Sequence, residues 1–221
     1  MASPLVSAEV FHLGRLVVTR PVVTTWAIMA VLTLAGRWAT RRLRPLPDRR
    51  QAVLELLVGG IVEQIESVLR KDGRRYLPLL GTLFLFIMVA NLSGLIPGVE
   101  APTAKIETTA ALALIVFVAA HAYGLGARGP KRYLASFAEP KLFMLPLNLL
   151  SELTRHFSLM VRLFGNVMSG EFVIAMVAAL AGLLVPIPLM ALEILVGVVQ
   201  AYIFTILATV FIGAAVGSVE R

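Results

Sequence analysis

Ser158-Leu159-Met160-Val161-Arg162-Leu163-Phe164-Gly165-Asn166 is followed by a mostly apolar run to Pro186, and this stretch decides the fold. A segment this apolar reads as membrane, yet it carries an arginine in its middle. An arginine at the bilayer centre costs about 2.5–3.5 kcal/mol on insertion scales. Its guanidinium cannot be neutralised by losing a proton, so burial cannot relieve the cost. A permanent charge kept in such a place points to an ion pathway with Arg162 as its electrostatic centre.

Working outward, the whole chain is membrane-like. Its 221 residues are 58% hydrophobic and only 15% charged, with mean hydropathy +0.87. Several apolar segments reach the roughly 20 residues a spanning helix needs. The net charge of +7 does not point to nucleic acid, because the cations lie in short clusters between apolar runs. That is the pattern of cytoplasmic loops. There are no cysteines, so thiol chemistry is excluded. The three histidines have no metal-ligand spacing, and no metal or cofactor is expected. Gly124-Leu125-Gly126-Ala127-Arg128-Gly129 lacks the Lys-Ser/Thr of a phosphate loop.

The expected fold is an all-α membrane protein with about five transmembrane helices and one amphipathic interfacial helix, forming a single membrane domain over 1–221. Residues 1–15 carry no cleavage site after a brief apolar core, so the first helix is expected to be retained. It spans 16–38, with Arg20-Pro21 at its start. The basic block Arg37, Arg41, Arg42, Arg44, Arg49 and Arg50 follows. Residues 51–70 place apolar side chains at helical spacing against Glu55, Glu63, Gln64 and Glu66, which predicts a helix lying on the inner face. Spans over 76–96 and 107–126 come next, joined by a short loop. A long tilted hairpin occupies 142–218, turning around Gly182 to Pro188. Of the 20 Lys and Arg residues, 15 fall on one inferred side. This predicts a multi-pass protein with its N-terminus outside and its C-terminus cytoplasmic.

Polar residues of the hairpin fall in stripes. Asn148, Glu152, Arg155, Arg162, Asn166 and Ser169 recur at steps of three, four or seven and share one helix face. Glu193 and Gln200 share a face of the second arm. Glu171 lies nine residues beyond Arg162, half a revolution round and about 13 Å along the axis. In antiparallel arms, Arg162 with Gln200 and Glu171 with Glu193 come to similar depth. Gln200 is therefore expected to hold the Arg162 fork, and the two glutamates to share a proton. The plainer reading of Asn148, Ser151 and Ser169 is interhelical hydrogen bonding. Glu152 and Arg155, three apart, read as an ion pair near the inner surface, with Asn148, Glu152 and Arg155 also lining a candidate inner half-channel.

Leu159 to Glu171, with its Arg-Leu-Phe-Gly-Asn core and Gly170-Glu171, resembles the signature of subunit a of F-type ATP synthases. So do Asn91-Leu92-Ser93-Gly94-Leu95-Ile96-Pro97-Gly98 and Gln200-Ala201-Tyr202-Ile203-Phe204. The resemblance implies the membrane stator beside a rotating ring of c subunits in a bacterial inner membrane. It implies a b-subunit peripheral stalk and a soluble F1 sector as further partners, with the lipid bilayer around them. Arg162 would face the ring carboxylate, Gln200 would be its partner, and Glu171, Glu193 and Asn166 would belong to the ion path. ATP chemistry would belong to other subunits, so the chain is expected to be no enzyme by itself. The sequence departs from the family at Lys105, where many members carry Asp, at His156, commonly Pro, and in having Glu at both Glu171 and Glu193. Paired carboxylates also suit a hard cation, so a sodium-translocating relative stays open beside the proton reading. A stand-alone transporter would call for inverted repeats, and none is visible. A pure scaffold has no need of Arg162, Glu171 and Glu193 at matched depth.

Overall fold

In the computed structural model, residues 9–13, 16–41, 49–96, 99–137, 143, 145–182 and 184–217 are described. The sequence-predicted helices all form, within a few residues of their expected bounds, and three elements were not anticipated: a short β-hairpin, the 3-10 turn Pro102–Ala104 and the helix Pro130–Phe137. Glu9–Leu13 (β1) and Leu16–Thr19 (β2) pair as an antiparallel hairpin, with Leu13 opposite Leu16 and Glu9 opposite Thr19. Helix α1, Arg20–Thr40, therefore begins at Arg20 and not at 16. Val17, Val18 and Thr19 are β-branched and favour the extended chain. Pro21, whose φ is already helical and which has no N–H to waste, starts the helix.

The remaining helices are α2 (Arg49–Leu69), α3 (Leu77–Ser93), α4 (Ile106–Arg128), α5 (Pro130–Phe137), α6 (Leu145–Ala181) and α7 (Ile187–Val216). α1, α4, α6 and α7 are long and apolar enough to cross a membrane, and α3 is a shorter apolar helix of 17 residues. With the hairpin as its only strands among the described residues, the chain is an all-α membrane protein.

α7 lies at the centre of the bundle, against α3, α4 and α2, while α6 packs mainly on α4 and on the short 3-10 turn Pro102–Ala104. The two arms of the long hairpin thus meet α4 more than each other. Small residues let α7 sit so close: Gly197, Ala201, Ala208, Gly213 and Ala215 are all buried, interleaved with Phe204 and Ile212. In lipid, where apolar surface gains nothing by leaving one oily phase for another, such close van der Waals packing is a main force holding helices together. α6 contributes His156, Leu159, Leu163 and Val167, steps of three or four that form one buried stripe. Its other faces leave Leu150, Leu153, Phe157 and Phe172 exposed, as expected of surface meeting lipid or another subunit. At about 1.5 Å per residue, its 37 residues span roughly 55 Å, well beyond a perpendicular crossing.

α2 is amphipathic as expected. Ile65 and Leu69 are buried against the bundle, whereas Val53, Leu56 and Leu57 are exposed. Its end is a closed turn: the Gly73 N–H donates to Glu66 Oε1 at 3.2 Å, and the Arg74 N–H donates to Asp72 Oδ1 at 3.0 Å. At the same end, α5 folds back so that Tyr133 covers Gly124 of α4. A Cβ at Gly124 would stand 2.5 Å from the tyrosine ring. Gly124→Ala is therefore expected to undock α5. In limited proteolysis, trypsin should cut after Lys131 and Arg132 several-fold faster than in the unmodified chain.

Candidate functional site

The buried stripe of α6 fixes what its other residues do. With His156, Leu159, Leu163 and Val167 turned inward, Arg155, Arg162 and Ser169 are left exposed on the outer side. Among the described residues, no carboxylate pairs with the Arg162 guanidinium and no acceptor takes a hydrogen bond from it. Asn166, one turn on, is half-buried, and its carbonyl accepts the Ser169 hydroxyl at 3.0 Å. Gln200 does not hold Arg162: it is only 6% exposed, on the α7 face that also buries Gly197, Ala201 and Phe204. The matched depth is compatible with a contact, but the rotation of α7 turns Gln200 into the bundle.

Glu171 points the other way, as half a revolution requires. Its Oε1 accepts the Ala101 N–H at 3.3 Å and lies 2.7 Å from where a Cβ of Gly94 would stand. The carboxylate is thus seated on bare backbone of α3 and tied to the loop that leads into α4. Lys105 pairs with Glu100 at 3.7 Å in the same loop, and both lie within electrostatic reach of Glu171, as does Glu193. The Glu193 carboxyl group rests on Gly170, where any Cβ would collide with it. Glu193 thus sits over the residue next to Glu171 in the chain.

Three residues that the sequence reading did not place in the site belong to it. Asn91 is 6% exposed, and its Nδ2 donates to the Gly197 carbonyl at 2.9 Å. Its Oδ1 has no partner among the described residues. Gly94 and Gly170 provide the seats of Glu171 and Glu193. An asparagine within the apolar helix α3 was a legible signal; glycines that act by what they lack were not.

Toward the N-terminus of α6, the expected Glu152–Arg155 pair is absent among the described residues. Glu152 is half-buried and Arg155 exposed, and solvation of two separated surface charges competes well with a weak pair. The Glu152 carbonyl instead accepts a hydrogen bond from His156 Nδ1 at 2.9 Å. His156 lies between the rings of Phe117 and Phe211, at 5.0 and 4.9 Å. Asn148 is half-buried.

A model of the ATP synthase A chain family matches residues 22–213. The chain belongs to this family. It is 70% identical over 220 residues to ATP synthase subunit a 2 of a Bradyrhizobium strain, covering 100% of this chain and 99% of that one. It is also 46% identical over 210 residues to ATP synthase subunit a 2 of Pelobacter propionicus, covering 95% and 92% of the two chains. With subunit a 1 of Chlorobium luteolum it shares 47% identity over 199 residues, covering 88% of each. As a member of the ATP synthase A chain family with several apolar helices, it is a multi-pass subunit of the membrane sector, which acts in ion transport as part of a larger complex.

The glycine seats carry a prediction. Gly170→Ala inserts a methyl group where the Glu193 carboxyl group sits, and Gly94→Ala does the same to Glu171. Displacing a functional group by about 1 Å can cost on the order of 100-fold. ATP-driven ion uptake by vesicles carrying the complex should fall at least about tenfold in Gly170→Ala. The second change Glu193→Asp, one methylene shorter, should restore part of it.

Proposed function

We propose that this chain is the ion-translocating stator of its complex, with two half-channels that meet the rotor ring on either side of Arg162. The observation that carries the reading is the division of charge on α6. Arg162 is exposed on one face with no carboxylate partner among the described residues, while Glu171 on the opposite face is anchored to Ala101 and seated on Gly94.

A ring carboxylate carried through lipid travels neutral, because a low dielectric disfavours its charge. Opposite Arg162, at about 4 Å and an effective dielectric near 20, attraction favours the ionised form by about 4 kcal/mol. The proton then leaves into one half-channel. Because Arg162 stays charged, it also blocks a cation from passing straight between the two half-channels. Each ion must ride the ring for most of a turn, which couples flux to rotation. Glu171, Glu193 and Asn166 supply the outer path, with Asn91, held by its hydrogen bond to the Gly197 carbonyl, as a further member. Asn148, Glu152 and Arg155 supply the inner one. The chain itself performs no ATP chemistry. The c-subunit ring, the b-subunit stalk and the F1 sector are its partners, in a bacterial inner membrane with the N-terminus outside and the C-terminus cytoplasmic.

A second reading keeps every role and replaces the proton by sodium. It is favoured by the carboxylates of Glu171 and Glu193 and by the buried Asn91 Oδ1, which has no partner among the described residues, all hard oxygen donors.

Reconstitution of the whole complex in sealed vesicles tests both. ATP-driven acidification that ignores sodium, collapses with a protonophore and vanishes in Arg162→Ala is the expected result. Sodium uptake that survives the protonophore would establish the second reading. Undiminished pumping in Arg162→Ala would sink the mechanism in either form.

A further inference from the structure

Two basic segments far apart in sequence are brought to the two sides of one helical turn. Tyr76 directly follows Arg74 and Arg75, and its ring packs edge-on against Tyr123 of α4 at 4.9 Å. Tyr133 directly follows Lys131 and Arg132 and covers Gly124, the next residue of α4. Tyr76 and Tyr133 are both buried, so these attachments are firm. The turn after α2 and the start of α5 are thereby fixed around Tyr123-Gly124.

The cations they carry are free to act. Arg70, Lys71, Arg74, Arg75, Lys131 and Arg132 are all exposed, and none has an ion-pair partner among the described residues. The nearby acids are engaged with backbone: Glu66 Oε1 accepts the Gly73 N–H, and Asp72 Oδ1 accepts the Arg74 N–H. Arg70 itself adopts φ 52°, a left-handed conformation uncommon outside glycine, which turns the chain sharply out of α2. Arg128 is employed differently, donating to the Ala214 carbonyl at the end of α7.

We infer that this end of the bundle is a headgroup site for an anionic phospholipid, gripped by the 70–75 turn and by Lys131 and Arg132. α3 starts and α4 ends here, so the cations stand at the ends of apolar helices, the level at which lipid phosphates lie. Arginine and lysine clusters at that level attract anionic lipids, each residue adding to the affinity. The tyrosines suit the same boundary, with an apolar ring and a polar tip. A general bias of basic loops to one side of a membrane does not require two distant clusters to be clamped to one turn. The tyrosine contacts do that here, tying both loops to Tyr123-Gly124 of α4.

The test uses the whole complex, washed in detergent and then equilibrated with mixed micelles of phosphatidylcholine and phosphatidylglycerol in equal amounts. Lipid retained per complex is counted by native mass spectrometry. The expected result is phosphatidylglycerol enriched over phosphatidylcholine, with the enrichment reduced about tenfold in the R74Q/R75Q/K131Q/R132Q variant. The K131Q/R132Q pair, which leaves the 70–75 turn intact, should lose part of the enrichment and serves if the fourfold variant does not assemble. Equal retention of both lipids by the unmodified complex would overturn the site, as would enrichment unchanged in the variants. Displacement of phosphatidylglycerol by millimolar inorganic phosphate would make it a free-anion site and overturn the lipid assignment. No ATP turnover enters the measurement, so its failure is separate from failure of the ion-path reading.

Discussion

The close seating of α7 among its neighbours is the constraint on which the rest depends. Gly197, Ala201, Ala208 and Gly213 bring its backbone near α3 and α4, and bulkier residues would hold the helices apart. With α7 and α4 in place, only the stripe His156, Leu159, Leu163 and Val167 of α6 fits inward. Everything else on that helix is then decided by rotation at about 100° per residue. Arg162 goes to the outer surface, and Glu171 goes to the loop before α4. The permanent charge therefore avoids burial by facing outward, with no carboxylate partner among the described residues.

The carboxylates obey a complementary rule. A charged or polar group inside a membrane bundle needs donors or room, since unsatisfied burial costs several kcal/mol. Here room is made by glycine on the facing helix: Glu171 over Gly94, Glu193 over Gly170, and Asn91 beside Gly197. Each pairing brings a side-chain oxygen or amide up to bare backbone. The Ala101 N–H and the Gly197 carbonyl supply the hydrogen bonds. The arrangement sets the polar groups with more definition than loosely packed side chains could, which matters wherever an ion must pass from one oxygen to the next.

How far the sequence could be read depended on the range of the information. Helix type and approximate extent follow from apolar run length and from period, which are local. The stripes of α6 were legible for the same reason, and so was the opposition of Arg162 and Glu171. The β1–β2 hairpin was not, because Leu16-Val17-Val18-Thr19 is as apolar as the start of a span, and short apolar runs carry no period to separate strand from helix. The Gln200–Arg162 bond was expected from matched depth and from the family resemblance. Depth is one coordinate of a helix, and the bond also required a rotation that the small residues of α7 set differently.

The sequence by itself determined that this is a bundle of apolar helices bounded by basic loops, with Arg162, Glu171 and Glu193 within the apolar stretches of the long hairpin. Those properties reside in single segments, whose hydropathy and period are unaffected by what lies opposite. Only the tertiary structure decided which backbone each polar group rests on, that Gln200 faces inward, that Asn91 joins the site, and that two basic loops converge on Tyr123-Gly124. These depend on contacts between residues far apart in the chain, and such contacts are chosen by packing of the whole bundle and not by any one segment.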